Sequence, residues 1–199
     1  MINRRLFLTA TAATIALPIS GFAQTNAPEV MEMTMGNPDA KVTVTEYASF
    51  TCPHCARFHE TTFPQLKENY IDTGKINFIY REIYFDRFGL WAGMMARCAG
   101  PDRYFGVADL LYKRQRDWAS GSAAENLANM RTIGRVAGLS DEQMDACFQD
   151  QAKAEAMVAR FQETAGADDV TSTPTLIING TKYGNLPYGQ LAGIIDDLL

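Results

Sequence analysis

Histidine is scarce in this chain. Only His54 and His59 occur, beside four cysteines, in 199 residues. Structural zinc usually recruits two Cys/His pairs. Cys52, Cys55 and His59 would share one helical face at i, i+3 and i+7, but a fourth ligand with suitable spacing is missing, so no metal is expected. Runs of basic residues are absent too, as is any interleaving of basic with aromatic side chains. With a net charge of −5, nucleic acid is not an expected partner. No internal repeat or low-complexity segment is present. The hydrophobic fraction of 47% and charged fraction of 21% are those of an ordinary globular chain, which argues against disorder.

Near the N-terminus, the apolar stretch Leu6 to Ile19 is too short to cross a bilayer as a helix. The positive segment Met1 to Arg5 precedes it, and Gly21-Phe22-Ala23 follows with small residues where an export signal is cut. Residues 1–23 therefore read as a cleaved signal, which would remove two arginines and no acid. No cysteine stands at the cut, so a lipoprotein is not expected. Asn3-Arg4-Arg5-Leu6-Phe7-Leu8 resembles a twin-arginine signal, with the general export route as the alternative. Either route implies a bacterial envelope protein, in the periplasm, where disulfides persist.

The remainder is long enough for one domain with a substantial core, or a core domain carrying an insertion. Val30 to Met35 alternates like a short edge strand, and Gly36-Asn37-Pro38-Asp39 reads as a turn. Val42 to Ser49 reads as a central strand, Pro53 to Ile71 as a helix kinked at Pro64, and Ile76 to Ile83 as another strand. Phe88 to Asp168 carries helical spacing, broken at Gly100-Pro101, Ser120-Gly121-Ser122 and Gly138-Leu139-Ser140. Ser140 with Gln143 forms a capping-box pattern. Thr175 to Asn179, a turn at Asn179-Gly180, and Thr181 to Tyr183 read as a hairpin; Pro187 to Leu199 closes as a helix. The expected class is α/β, a parallel βαβ unit followed by an antiparallel hairpin.

The chemistry concentrates in Cys52-Pro53-His54-Cys55, where a strand turns into a helix. A thiol at a helix N-terminus faces unpaired N–H groups and the positive end of the dipole, which favour the reactive thiolate. The stretch Glu46-Tyr47-Ala48-Ser49-Phe50-Thr51-Cys52-Pro53-His54-Cys55 resembles the DsbA family of thiol–disulfide oxidoreductases, within the thioredoxin superfamily. The resemblance covers nearly the whole mature chain and implies a thioredoxin fold with a helical insertion. Its parts would be residues 24–87, an insertion at 88–166, and a second half at 167–199.

Cys52 is then the expected nucleophile and Cys55 the buried resolving thiol. His54, when protonated, would support the Cys52 thiolate, and Pro53 completes the motif. Glu46, a charge inside an apolar strand, is expected to be buried beneath the site, where burial disfavours its charged form; in the DsbA pattern the matching acid manages protons for the buried cysteine. The alternative is a strand end open to solvent. His59 is expected at the surface or a groove edge. In thioredoxin-like proteins a cis-proline faces the cysteine pair, which implicates Thr173-Pro174 in substrate binding. Thr173 departs from the valine common in the Pro-His members and is shared with isomerase relatives.

Cys98 and Cys147 lie in the helical block, and an even cysteine count in an exported protein invites a second disulfide; two buried free thiols are the alternative. Alphaproteobacterial DsbA-like proteins resemble this chain in having such an extra pair, which implies a structural or modulatory role. The aromatic residues around the insertion, from Tyr84 to Trp118, read mostly as core.

The function expected is that of an exported dithiol oxidase acting through Cys52–Cys55. It needs no cofactor beyond that disulfide. Its partners would be folding exported proteins with free thiols and, by family analogy, a quinone-linked membrane oxidase. The alternatives are a reductase or isomerase of the same fold, which Thr173 favours, and a peptide-binding chaperone with purely structural cysteines. Against the isomerase stand Pro53-His54 and the absence of a separate dimerisation domain.

Overall fold

The computed structural model describes residues 28–199. The export signal expected over residues 1–23 lies outside the described residues. Strands β1 (Met33–Gly36), β2 (Val42–Ala48), β3 (Ile76–Glu82), β4 (Thr175–Ile178) and β5 (Thr181–Tyr183) form one sheet in the order β1-β3-β2-β4-β5. β2 runs parallel to β3 and antiparallel to β4. β2, buried at six of its seven positions, thus takes the centre, where both faces are covered. Val42, Val44, Glu46 and Ala48 point to one face; Thr45 and Tyr47 point to the other. At the β1 end, Gly36 has a positive φ, and a Cβ there would collide with the Ile76 carbonyl, so only glycine fits.

Helix α1 (Pro53–Thr61) follows β2 directly and lays Cys55, Phe58 and His59 onto the Val44–Glu46–Ala48 face. The sequence predicts one kinked helix to Ile71; the structure breaks it. α1 stops at Thr62, α2 (Phe63–Leu66) is a single turn, and Lys67–Ile71 is wound as a π-helical turn. Pro64 explains the break, because it lacks an N–H and its ring would strike the carbonyl one turn back.

Between β3 and β4 run six helices: α3 (Arg87–Cys98), α4 (Pro101–Lys113), α5 (Gln115–Trp118), α6 (Ala123–Val136), α7 (Asp141–Gln149) and α8 (Gln151–Ala167). Gly100 and Gly138, both at positive φ, separate α3 from α4 and α6 from α7. Ser140 and Gln143 make the predicted capping box, and Ser122 with Glu125 makes a second that the sequence reading passed over. Each satisfies two orphan N–H groups. α9 (Tyr188–Asp196) closes the chain.

Two fastenings hold the insertion to the sheet, and a third ties it to itself. Arg97 of α3 donates to both carboxylate oxygens of Glu82 on β3, at 2.8 and 2.5 Å, and Tyr104 of α4 donates to the same carboxylate at 2.7 Å. Both charged groups are buried, so their mutual bonds offset a desolvation cost that either alone could not bear. On the far face, Tyr47 donates to Asp168 at the end of α8, and Arg81 reaches the same carboxylate at 3.0 Å. Within the insertion, Cys98 on α3 and Cys147 on α7 are joined by a disulfide spanning a sequence separation of 49, with Cα atoms 6.1 Å apart.

A closed loop of that length raises stability by about 4 kcal/mol in the chain-entropy account. Denaturant melts of the Cys98→Ser, Cys147→Ser double variant are expected to lose up to about that amount. Alkylation of Cys52 should persist, because the bridge touches neither motif cysteine.

Candidate functional site

Main-chain geometry places the motif. Cys52 occupies the N-cap of α1 with extended dihedrals (φ −81°, ψ 119°), and Pro53 stands in the first turn, where a missing N–H costs nothing. The Cys52 carbonyl accepts the first helical bond, from Ala56 at 3.1 Å. The sulfur therefore stands where a capping oxygen would. Gln115, a buried residue of α5, fixes the loop from the other side. Its amide donates to the Phe50 carbonyl at 2.8 Å and the Cys52 carbonyl at 2.9 Å. Thr51 donates to Asp86, the N-cap of α3, at 2.7 Å. The insertion thus holds the loop at two points that sequence patterns did not reveal. A lone glutamine in a helical run carries no such signal.

Cys52 is half-buried, whereas Cys55, on the inner face of α1, is fully buried; both are free thiols. Their environments push the two pKa values apart. The Cys52 thiol is lowered to about 5, chiefly because Cys55 donates a hydrogen bond to its sulfur. Burial opposes this; the Thr173 side chain and the main-chain N–H groups of Cys55 and His54 add to it. Cys55 is pushed far upward, first by burial, then by its bond to Cys52 and by the charge of Glu46. His54 is exposed, and its main-chain N–H is among the groups that lower the Cys52 pKa.

The Thr173-Pro174 peptide bond is cis. The Thr173 carbonyl lies 3.6 Å from Cys52 Sγ, placing the β4 approach against the exposed sulfur. Thr175 steadies that approach by donating to the Ser172 carbonyl at 2.8 Å.

Beneath the motif, Glu46 is fully buried on β2, opposite Tyr80 and Leu176, as its place in an apolar strand implies. His59, expected at the surface or a groove edge, lines the cleft between α1 and α4–α5 but is only 8% exposed, and its Nε2 lies 3.1 and 3.0 Å from the two Glu46 oxygens, which corrects the surface placement. The reason is periodicity: His59 sits one turn beyond Cys55 on the same inward stripe of α1. The spacing that raised a metal set carried this information. Among the described residues no cluster of three or more His, Cys, Asp or Glu could hold a metal ion. The His59 ring stacks on Tyr112 at 4.2 Å, and Tyr112 shares a 2.5 Å hydroxyl contact with Tyr80.

A sequence-family profile described as thioredoxin matches residues 29–197. The chain belongs to the thioredoxin family. A Rickettsia bellii protein, whose name proposes a protein-disulfide oxidoreductase, is 34% identical over 166 residues, covering 83% of this chain and 63% of that protein. This chain thus spans less than two thirds of that relative's length. The disulfide bond formation protein D of Bacillus subtilis is 24% identical over 159 residues, 76% of this chain and 69% of that one. The crystal structure of Wolbachia pipientis alpha-DsbA1 superposes with a TM-score of 0.79 at 27% identity, covering 87% of this chain and 93% of that one. Within the thioredoxin family the fold is DsbA-like, a thioredoxin-type sheet interrupted by the α3–α8 block.

The depressed Cys52 pKa couples the site to stability. A group whose folded pKa lies below its unfolded value stabilises the fold fully above the unfolded pKa, about 8.5 for a thiol, and loses that contribution as pH falls through the folded value. Here the window runs down to about 5. The oxidised protein has no Cys52 thiolate, and its short disulfide loop adds little chain entropy. Reduced protein is expected to be the more stable form near neutral pH, with the gap narrowing at about pH 3. Denaturant melts of both forms check it; a more stable oxidised form at neutral pH would contradict the acidified thiol.

Proposed function

We propose that this protein is an exported dithiol oxidase that donates the Cys52–Cys55 disulfide to folding envelope proteins. The observation that carries the reading is the inequality of the two thiols, one half-exposed and acidified to about 5, the other buried and raised. A stabilised Cys52 thiolate favours the reduced protein, and that makes the disulfide the stronger oxidant. It is also the better leaving group when a mixed disulfide resolves.

In the forward reaction a substrate thiolate attacks Cys52 Sγ. The Cys52–Cys55 bond breaks, its electron pair leaves on Cys55, and Cys55 takes a proton. A second substrate thiolate then attacks the substrate sulfur of the mixed disulfide and displaces Cys52 as thiolate. The substrate gains a disulfide and the protein is left as dithiol. The main chain at Thr173-Pro174, beside Cys52, would receive the extended substrate segment. Pro53 holds the first turn, and Glu46 serves the protons of Cys55. The Cys98–Cys147 bridge braces α3 against α7 without entering the exchange. Reoxidation falls to a quinone-linked membrane oxidase. An export signal in residues 1–23 fits this location, and no helix of the described residues is long and apolar enough to cross a membrane.

Thr173 supports a second reading, net reductase or isomerase, because a threonine before this proline is shared with isomerase relatives. The equilibrium with glutathione separates them. An oxidase stays largely reduced in a glutathione buffer that keeps a reductase oxidised.

Attack order gives the sharper test. Cys55→Ser, with Cys52 first charged as a mixed disulfide with glutathione, should accumulate mixed disulfides with reduced, unfolded exported proteins as glutathione leaves, and Cys52→Ser treated alike should accumulate none. Trapping through Cys55 alone would sink the assignment.

A further inference from the structure

Resting on the oxidase reading, one step of the exchange still lacks a route. Cys55 must gain a proton as its bond to Cys52 breaks and must lose it when the disulfide re-forms, yet it is fully buried. Glu46 is near enough for its charge to bear on Cys55, but it is equally buried, so its own proton must come from elsewhere. We propose that His59 is a positioning residue that relays protons between the Glu46 carboxyl and water in the cleft between α1 and α4–α5.

Three observations carry this. First, His59 Nε2 lies within hydrogen-bond distance of both Glu46 oxygens, 3.1 and 3.0 Å, so a proton can pass to either. Second, the same ring borders a cleft of about 560 Å³ beside Pro53 and His54. His59 thus joins the buried carboxyl to a cleft large enough to admit water. Third, the ring is stacked on Tyr112 at 4.2 Å and packed at a tilt against Phe63 at 4.5 Å, which fixes its orientation.

The charged surroundings leave the relay free to exchange. On the inner side the titratable neighbours are Cys55 of α1, Tyr80 of β3 and Tyr112 of α4; burial raises all three, so they stay neutral when Glu46 changes charge. On the cleft side α1 offers Arg57 and Glu60, α4 offers Asp109 and Lys113, and α5 offers Arg116 and Asp117. Three positive and three negative side chains thus line the cleft, with His54 of α1 beside them. In the oxidative direction, Glu46 hands its proton to the departing Cys55 thiolate and recovers one from water through His59. In reoxidation the same proton travels outward before Cys55 attacks.

The test isolates the Cys55 step. Reduced protein is mixed with saturating oxidised glutathione. Cys52 forms the mixed disulfide, and Cys55 then attacks Cys52 and releases glutathione, timed across about pH 5 to 8 in light and heavy water. His59→Gln keeps a donor toward Glu46 but cannot relay. It is expected to slow the Cys55 step at least about tenfold, with a larger heavy-water effect. In the Glu46→Gln background it should add nothing, since the relay acts only through that carboxyl. Alkylation of Cys52 should be the same in all variants. An unaltered Cys55 step in His59→Gln, or equal slowing in both backgrounds, overturns the relay. If His59→Gln does not fold, the double variant His59→Phe, Glu46→Gln leaves no buried charge and decides the matter. A rate matching Glu46→Gln alone supports the relay, and a slower one overturns it. A Cys52 that alkylates like an ordinary thiol would instead defeat the oxidase reading itself.

Discussion

Cys52 and Cys55 are one helical turn apart, and the water around them differs more than the distance suggests. The N-cap position gives Cys52 a half-open surface and free N–H groups; the next turn carries Cys55 into the core, where Val44, Ala48 and Phe58 lie. Burial penalises a thiolate at Cys55 by desolvation, so its proton stays and is donated to Cys52 instead. One sulfur is acidified because the other cannot ionise. The rest of the structure keeps that inequality in place: β2 aims the loop, Pro53 starts the helix, Gln115 and Asp86 hold the loop to the insertion, and the cis bond at Pro174 brings Thr173 against the sulfur.

The same core contains a second arrangement that packing alone would not select. Replacing Glu46 and His59 by apolar residues of similar volume would spare two buried polar groups their desolvation. Their presence directly under the buried thiol therefore points to proton traffic more than to stability. The aromatic shell of Phe63, Tyr80 and Tyr112 has a double consequence. It supplies apolar area that stabilises the domain and shapes a dry site in which a single carboxyl exerts a long reach.

Much of this was legible in the sequence, and the reasons are local. Alternation in β1, the Asn179-Gly180 turn and the glycine breaks of the insertion are short-range signals, and each is an element or a boundary in the structure. A Cys-x-x-Cys pair at a strand-to-helix junction reports its own electrostatics, because the helix dipole is a local property. The misses are long-range. His59 reads as a surface or groove-edge residue because no partner is visible nearby in sequence; its carboxyl lies 13 residues back on another element. Gln115 reaches the loop across more than 60 residues. The continuous helix to Ile71 failed for a different reason: Pro64 did more than kink it, and the chain adopted a π turn to recover its bonds.

The central claim is that Cys52 is ionised at neutral pH in the folded, reduced protein. Thiolate absorbs in the ultraviolet where thiol does not, so a pH titration of reduced protein, with Cys52→Ser as blank, reads it directly. A midpoint near 5 is predicted, with no second transition from Cys55 below the alkaline range. A single midpoint at about 8.5, the value of an unperturbed thiol, would contradict the account.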